Sequence, residues 1–210
     1  MEINWESQVL SSVSKVIPQI SCLEIDIEKL HEVATELSED SFSINYAGNT
    51  NTVPKEYIRK TMLINTLNFV FTDFLTSVKY KIGNYSDTDA MVYQIDKALD
   101  EGIPLTQGRF MRDMNSKEFK RLFTGNIEMP MADEKVKILN NVGDTLVTKY
   151  GGDWMNFIED GPKKLYANGK GLVDRLVRDF KRFDDHSIFE NEKVYFLKLA
   201  QLAFWGIHRE

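Results

Sequence analysis

Apolar residues recur at helical spacing through most of this chain, and the breaks between the runs fall at recognisable stop signals. Trp5 to Ile17 predicts a helix, stopped by Pro18. Asp26 predicts the N-cap of a second helix reaching Leu37, with Ile27, Leu30, Val33, Ala34 and Leu37 as its apolar stripe. Ser38 to Thr52 is polar, carries Gly48-Asn49 and reads as a loop. Pro54 suits the first turn of a third helix that runs into Thr61-Met62-Leu63-Ile64. The β-branched and aromatic run Thr66 to Phe74 predicts a strand or a buried extended stretch. Ser77 to Ile82 followed by Gly83-Asn84 predicts a short hairpin.

Helical spacing then resumes. Asp87 is the expected cap of a helix from Thr88 to Asp100, ended by Gly102 and Pro104. Further helices are expected over Ser116 to Phe123, capped by Asn115 or Ser116, over Asp133 to Tyr150, ended by Gly151-Gly152, and over Lys170 to Lys181. The apolar stripes on these helices read as core. The fold class predicted is mainly α, with a small β element around residues 66–82.

The last run, Val194 to Ile207, is apolar on almost every side and predicts a buried helix. Only Lys198 and Gln201 interrupt it, three residues apart and so on one face. A lysine in such a helix either reaches solvent through its long stem or points into a site that holds an anion. Phe183-Asp184-Asp185-His186 lies upstream as a source of carboxylate.

Composition narrows the function classes. The 210 residues suit one domain, and 42% hydrophobic with 11% aromatic residues supports a packed core. The net charge of −6 and pI near 5.2 argue against direct nucleic-acid binding. The single cysteine, Cys22, excludes an intramolecular disulfide and favours a cytoplasmic setting. No run is long enough to span a membrane, and the acidic start MEINWESQVL is unlike a secretory signal.

Several chemistries lack their residues. Gly151-Gly152 sits at a helix end and forms no phosphate loop; His31, His186 and His208 are scattered, and a zinc site is not expected. Cys22 has no neighbouring base, and no serine sits in a nucleophile elbow. What remains is Lys198, the carboxylates and the run TLNFVF at 66–71. If that run is extended, Phe69 and Phe71 share one face and Asn68 takes the other. Phenylalanines can stack on a planar base and an amide can read its edge, although two core phenylalanines would leave the same pattern.

Four ordered segments resemble a known family. TLNFVF at 66–71 is similar to a (D)TLNFxF motif, and ALDEGIPLT at 98–106 to ALDEGIPIT. MPMADEKVKILNNVGDTLVTKYGG at 129–152 resembles (M)PLxEERxxILxExGxxLLEKFGG. FDDHSIFENEKVYFLKLAQL at 183–202 resembles (S)(F/Y)RDxxxxxGxxVxFYKRAQI. These are motifs of the queuosine salvage proteins, which are queuosine 5′-phosphate N-glycosylase/hydrolases.

The resemblance implies a compact helical domain over residues 1–210, similar to the helix-hairpin-helix DNA glycosylases. It implies cleavage of the N-glycosidic bond of queuosine 5′-monophosphate, or a related nucleoside 5′-phosphate, releasing queuine for tRNA modification, with no metal and no organic cofactor. Carried over by position, Lys198 matches the KRAQ lysine and Asp185 the acid of the RD pair, as catalytic residues. Asn68, Phe69 and Phe71 match the NFxF residues near the base pocket, and Tyr85 an aromatic ahead of a GYW motif. Asp73 stands near the same aromatic run as a candidate for the substrate side.

The departures are specific. The GYW motif falls at Asp87-Thr88-Asp89, the tryptophan expected after NFxF is Thr72, the arginine after the motif lysine is Leu199, and a later acid is Gly206. The family's ADYRVPQ segment, whose Asp is the main catalytic carboxylate, has no counterpart in these residues. The expectation is therefore a short or divergent member lacking the family's C-terminal part, with Asp73, Asp87, Asp89 or Asp185 as acids on hand. Asp87 and Asp89 also suit a helix N-terminus. A nucleotide-binding protein that has lost the carboxylate, or a glycosidase for a different base, are the alternatives.

Overall fold

The computed structural model describes residues 5–21, 24, 26–39 and 54–205. Helix α1 (Trp5–Val16) passes into a 3₁₀ turn, Ile17–Gln19, with Pro18 where the helix was expected to stop. Helix α2 (Ile27–Glu39) is capped as expected, Asp26 Oδ1 accepting the Lys29 amide at 2.9 Å. Its Ile27, Leu30 and Val33 stripe is exposed rather than buried in the core. Of the loop expected over Ser38 to Thr52, Ser38 and Glu39 still belong to α2, and the remainder lies outside the described residues, as does Cys22.

Helix α3 (Lys55–Leu67) continues through Thr66, where a strand was predicted. The Thr66 hydroxyl donates back to Met62 O at 2.8 Å, so this β-branched residue serves the helix. Asn68 to Val70 is irregular, with Val70 at φ 46, and the extended part is reduced to one bridge between Thr72 and Lys79. The hairpin forms at the expected Gly83-Asn84 turn with shorter strands: β1 (Lys81–Ile82) pairs with β2 (Tyr85–Ser86).

Helix α4 (Asp87–Asp100) follows directly. Asp87 is not a side-chain cap here; it sits at φ 55 and its carboxylate meets Lys79 at 3.0 Å. Two short helices, α5 (Gly108–Asp113) and α6 (Ser116–Leu122), lead to the long α7 (Ala132–Lys149). Asn115 caps α6 through the Glu118 amide, 3.0 Å. Helix α7 ends at Gly151 and Gly152, both at positive φ, as the glycine pair predicts.

Helices α5 and α7 cross in close backbone contact. A Cβ on Gly143 would lie 2.3 Å from the Arg112 amide nitrogen, so only glycine lets the two backbones meet there. Asn140 then closes the end of α5, its Nδ2 reaching the carbonyls of Met111, Arg112 and Met114 at 3.0, 2.8 and 2.8 Å.

Helices α8 (Trp154–Glu159) and α9 (Leu172–Asp179) complete an aromatic core. Trp154 stacks on Phe180 at 4.9 Å between ring centres, and Phe157 meets the edges of both Trp154 and Phe180. The expected helix over 170–181 is shorter at both ends. A 3₁₀ turn, Lys181–Phe183, leads into a hairpin that the sequence reading missed, β3 (His186–Phe189) with β4 (Glu192–Tyr195).

That hairpin overturns the reading of Val194 to Ile207 as one buried helix. Val194 and Tyr195 are strand, Leu197 sits at φ 49, and α10 (Lys198–Trp205) begins only at the lysine. Ala200, Ala203 and Phe204 are its buried face; Lys198, Gln201 and Leu202 are exposed. Among the described residues, no helix is long and apolar enough to cross a membrane.

Candidate functional site

The end of α3 is unusual because buried cations, rather than a glycine cap, receive its last carbonyls. Lys135 on α7 is 0% exposed. Its ammonium donates to Leu67 O at 3.1 Å and to Phe69 O. Arg182, on the 3₁₀ turn after α9, donates from Nε to Thr66 O at 3.0 Å. Both cations lie against the ring of Phe69, at 3.8 Å for Lys135 Nζ and 4.6 Å for the Arg182 guanidinium, and Lys135 is 4.8 Å from the Phe71 ring. Burial, reinforced by the positive charge of Arg182, lowers the Lys135 pKa to about 7. Burial also lowers that of Arg182, against the opposing charge of Asp185.

Asp185 completes the cluster. Its Oδ2 accepts the Lys198 backbone amide at 3.0 Å and so caps α10. Its backbone carbonyl accepts from Phe196 and Leu197, which fixes the turn that follows β4. Among the described residues, the buried Oδ1 has no hydrogen-bond donor and the buried Nη2 of Arg182 has no acceptor. Burial raises the Asp185 pKa above the usual carboxylate range, although the amides of α10 and Arg182 pull the other way. A carboxyl so placed can hold or release a proton nearer neutrality than a surface aspartate.

The sequence-derived candidates therefore separate. Phe69, Phe71 and Asp185 belong to one cluster, joined through Lys135 and Arg182. Asn68 lies at its edge, its Oδ1 accepting the Thr88 hydroxyl at 2.8 Å, which leaves the amide NH₂ of Asn68 for other partners. Asp73 is occupied by its own turn: Oδ1 accepts the amides of Leu75 and Thr76, both at 2.8 Å, and these bonds lower its pKa. Tyr85 is exposed on the β1–β2 hairpin and stacks on Tyr93 of α4 at 5.1 Å. Lys198 enters through its backbone; its side chain is exposed, and among the described residues no ion pair holds it.

Lys135 and Arg182 were missed. Lys135 did leave a signal, standing on the apolar stripe that runs Ala132, Val136, Leu139, Val142 and Leu146. Arg182 left none, because Lys181-Arg182 between Phe180 and Phe183 has no period to break. Among the described residues, no group of three or more His, Cys, Asp or Glu side chains could hold a metal ion.

Comparison with known proteins identifies the family. A queuosine 5′-phosphate N-glycosylase/hydrolase of Mus musculus is 28% identical over 146 residues, covering 67% of this chain and 42% of the relative. One from Nematostella vectensis is 28% identical over 196 residues, 87% of this chain and 55% of the relative. One from Sphaerobacter thermophilus is 26% identical over 142 residues, 67% and 43%. The chain thus spans about half the length of these relatives or less. Residues 47–208 match the family described as queuosine salvage protein, and so include the Phe69 segment, Lys135, Arg182 and Asp185. The chain belongs to the queuosine salvage protein family.

Proposed function

We propose that this protein hydrolyses the N-glycosidic bond of queuosine 5′-monophosphate and releases queuine for reuse in tRNA modification. The observation that carries this reading is the Asp185 carboxyl, close enough to feel the Arg182 charge that lies against Phe69, with a buried Oδ1 that no described group satisfies. Membership of the salvage family and the names of the relatives support the substrate.

The bond between C1′ of the ribose and the base nitrogen breaks with its electron pair leaving on the base. The ribose passes through an oxocarbenium-like state, a water oxygen bonds to C1′, and that water gives up a proton while the base gains one. Asp185 is the group suited to this exchange. Its carboxylate form stabilises positive charge at C1′, and its raised pKa lets it carry a proton. Phe69 and Phe71 form the apolar wall for the base, and the amide NH₂ of Asn68, which has no acceptor among the described residues, is a donor for a base oxygen or ring nitrogen. Lys198, exposed at the start of α10, is assigned to the 5′-phosphate. Tyr85, with its partner Tyr93, is assigned to the outer rim of the substrate side. Asp73 is left to its turn.

The substrate is a small nucleotide, and neither nucleic acid nor membrane is a partner. The reading takes the chain as one domain working in the cytoplasm without metal or organic cofactor. The test is direct: incubate the protein with queuosine 5′-monophosphate and measure free queuine by mass spectrometry, with ordinary nucleoside monophosphates alongside. Saturable binding without release would overturn hydrolysis and leave a nucleotide-binding protein. Release of another base and not of queuine would overturn the substrate.

A further inference from the structure

We propose that Lys135 and Arg182 are positioning residues, which fix the base-facing segment Asn68-Phe69-Val70-Phe71 by holding the carbonyls at the end of α3. This role rests on the substrate reading above. The argument starts from what a helix end requires. The last carbonyls of α3 have no intrahelical donor, and a buried helix end needs substitutes. A common solution is a left-handed glycine just past the helix. Here the next residues are Asn68, Phe69 and Val70, and it is Val70 that takes φ 46. A β-branched residue in that region is strained and persists only where its surroundings hold it.

The holding groups are the two cations. Arg182 takes Thr66 O, and Lys135 takes Leu67 O and Phe69 O. Between them they secure the chain on both sides of Asn68. The same two side chains lie against the Phe69 ring, so ring and backbone are fixed together.

Core filling is a poor explanation for such an arrangement. A methionine or leucine at position 135 would continue the apolar stripe of α7 without a desolvated charge. A lysine desolvated within reach of the Arg182 charge is costly to bury. Their directed N–H groups do what an apolar side chain cannot, by selecting one backbone path out of α3.

The decisive variants are Lys135→Met, which keeps the length and removes the donors, and Lys135→Arg, which restores them. Amide hydrogen exchange is read without substrate on the peptide covering residues 68–71, with α5–α7 peptides as reference. Lys135→Met is expected to speed exchange in that peptide about tenfold, leaving the reference unchanged, and Lys135→Arg to stay within about threefold of wild type. In turnover of queuosine 5′-monophosphate, Lys135→Met is expected to raise KM about tenfold with kcat within about threefold.

Unchanged exchange in Lys135→Met overturns the proposal, as does an arginine variant no better than methionine. Should Lys135→Met fail to fold, Lys135→Arg and Arg182→Lys decide. Both keep donors and should retain wild-type exchange at 68–71; a selective increase in either overturns the role. Because exchange needs no ligand, a wild-type protein that neither binds nor cleaves the nucleotide would sink the substrate reading alone.

Discussion

Raising the pH should stabilise this protein through a single lysine. Lys135 titrates at about 7 in the native state against an ordinary value of 10.5, because burial and Arg182 disfavour its charge. The groups facing it are Arg182, which remains cationic, and the backbone carbonyls of Leu67 and Phe69, which do not titrate. Below pH 7 the native and unfolded states both carry the proton, and folding must bury the charge. Between about 7 and 10.5 the native state has shed the proton while the unfolded chain keeps it, so stability rises with pH through that window.

One full proton of difference is worth about 1.4 kcal/mol per pH unit. From pH 6 to pH 9 the gain amounts to about 2.7 kcal/mol. The carbonyl bonds and the ring faces of Phe69 and Phe71 favour the ammonium, so this figure is an upper bound and about 2 kcal/mol is the working expectation. The assay is urea unfolding at pH 6, 7, 8 and 9 for wild type and Lys135→Met, reading the difference between the two pH profiles. The wild type should gain about 2 kcal/mol relative to the variant across this range. Parallel profiles would refute the reasoning, because a lysine that keeps its ordinary pKa contributes no slope there.

Asp185→Asn keeps an acceptor for the α10 amide but cannot ionise, whereas Asp185→Ala loses both functions. Queuine release should fall by at least about 100-fold in each, and thermal unfolding should show a loss of about 1 kcal/mol in the alanine variant relative to asparagine. A wild-type rate in Asp185→Asn would remove Asp185 from the chemistry. Lys198→Ala should leave stability within about 0.5 kcal/mol, since the side chain is exposed. It should also weaken the nucleotide about tenfold while sparing free queuine, as measured by calorimetry; equal loss for both ligands would place Lys198 away from the phosphate. Gly143→Ala should lower stability by about 2–3 kcal/mol in denaturant unfolding, because its Cβ would lie 2.3 Å from the Arg112 nitrogen. A neutral result would mean that α5 is free to move off α7.

The helices that ended on glycine were legible in the sequence. Gly102 closes the stretch after α4, and Gly151-Gly152 close α7, because a positive φ leaves few residue choices. The β1–β2 hairpin was legible for the same reason, at Gly83-Asn84. The β3–β4 hairpin was not. It turns through Glu190 and Asn191, both at positive φ without a glycine, and its apolar residues merge with those of α10 into one run that looked helical. Thr66 looked like strand because β-branching is a local preference, while its helix is set by packing and by Lys135 from a segment 69 residues further on.

In the candidate site, Phe69, Phe71 and Asp185 could be named from sequence, but their joining through Arg182 is a tertiary fact that no spacing encodes. The buried lysine was sought on the wrong helix. Lys198 interrupts a longer apolar run, whereas Lys135 interrupts a true helical stripe and is the one that is buried.

Asp185 binds the start of α10 with one oxygen, while the other is buried without a donor among the described residues. The eight described residues of α10 are held by their buried Ala200, Ala203 and Phe204 and by this anchor at the helix start. A carboxylate at a helix N-terminus is a stronger anchor than a carboxylic acid, because the charge answers the helix dipole and both oxygens can accept. Each proton that Asp185 takes up therefore loosens α10, and each one it gives away tightens it. The ordering of α10 thus works as a gauge of charge in the site, and a ligand that favours the ionised aspartate would be felt as a stiffening of that helix.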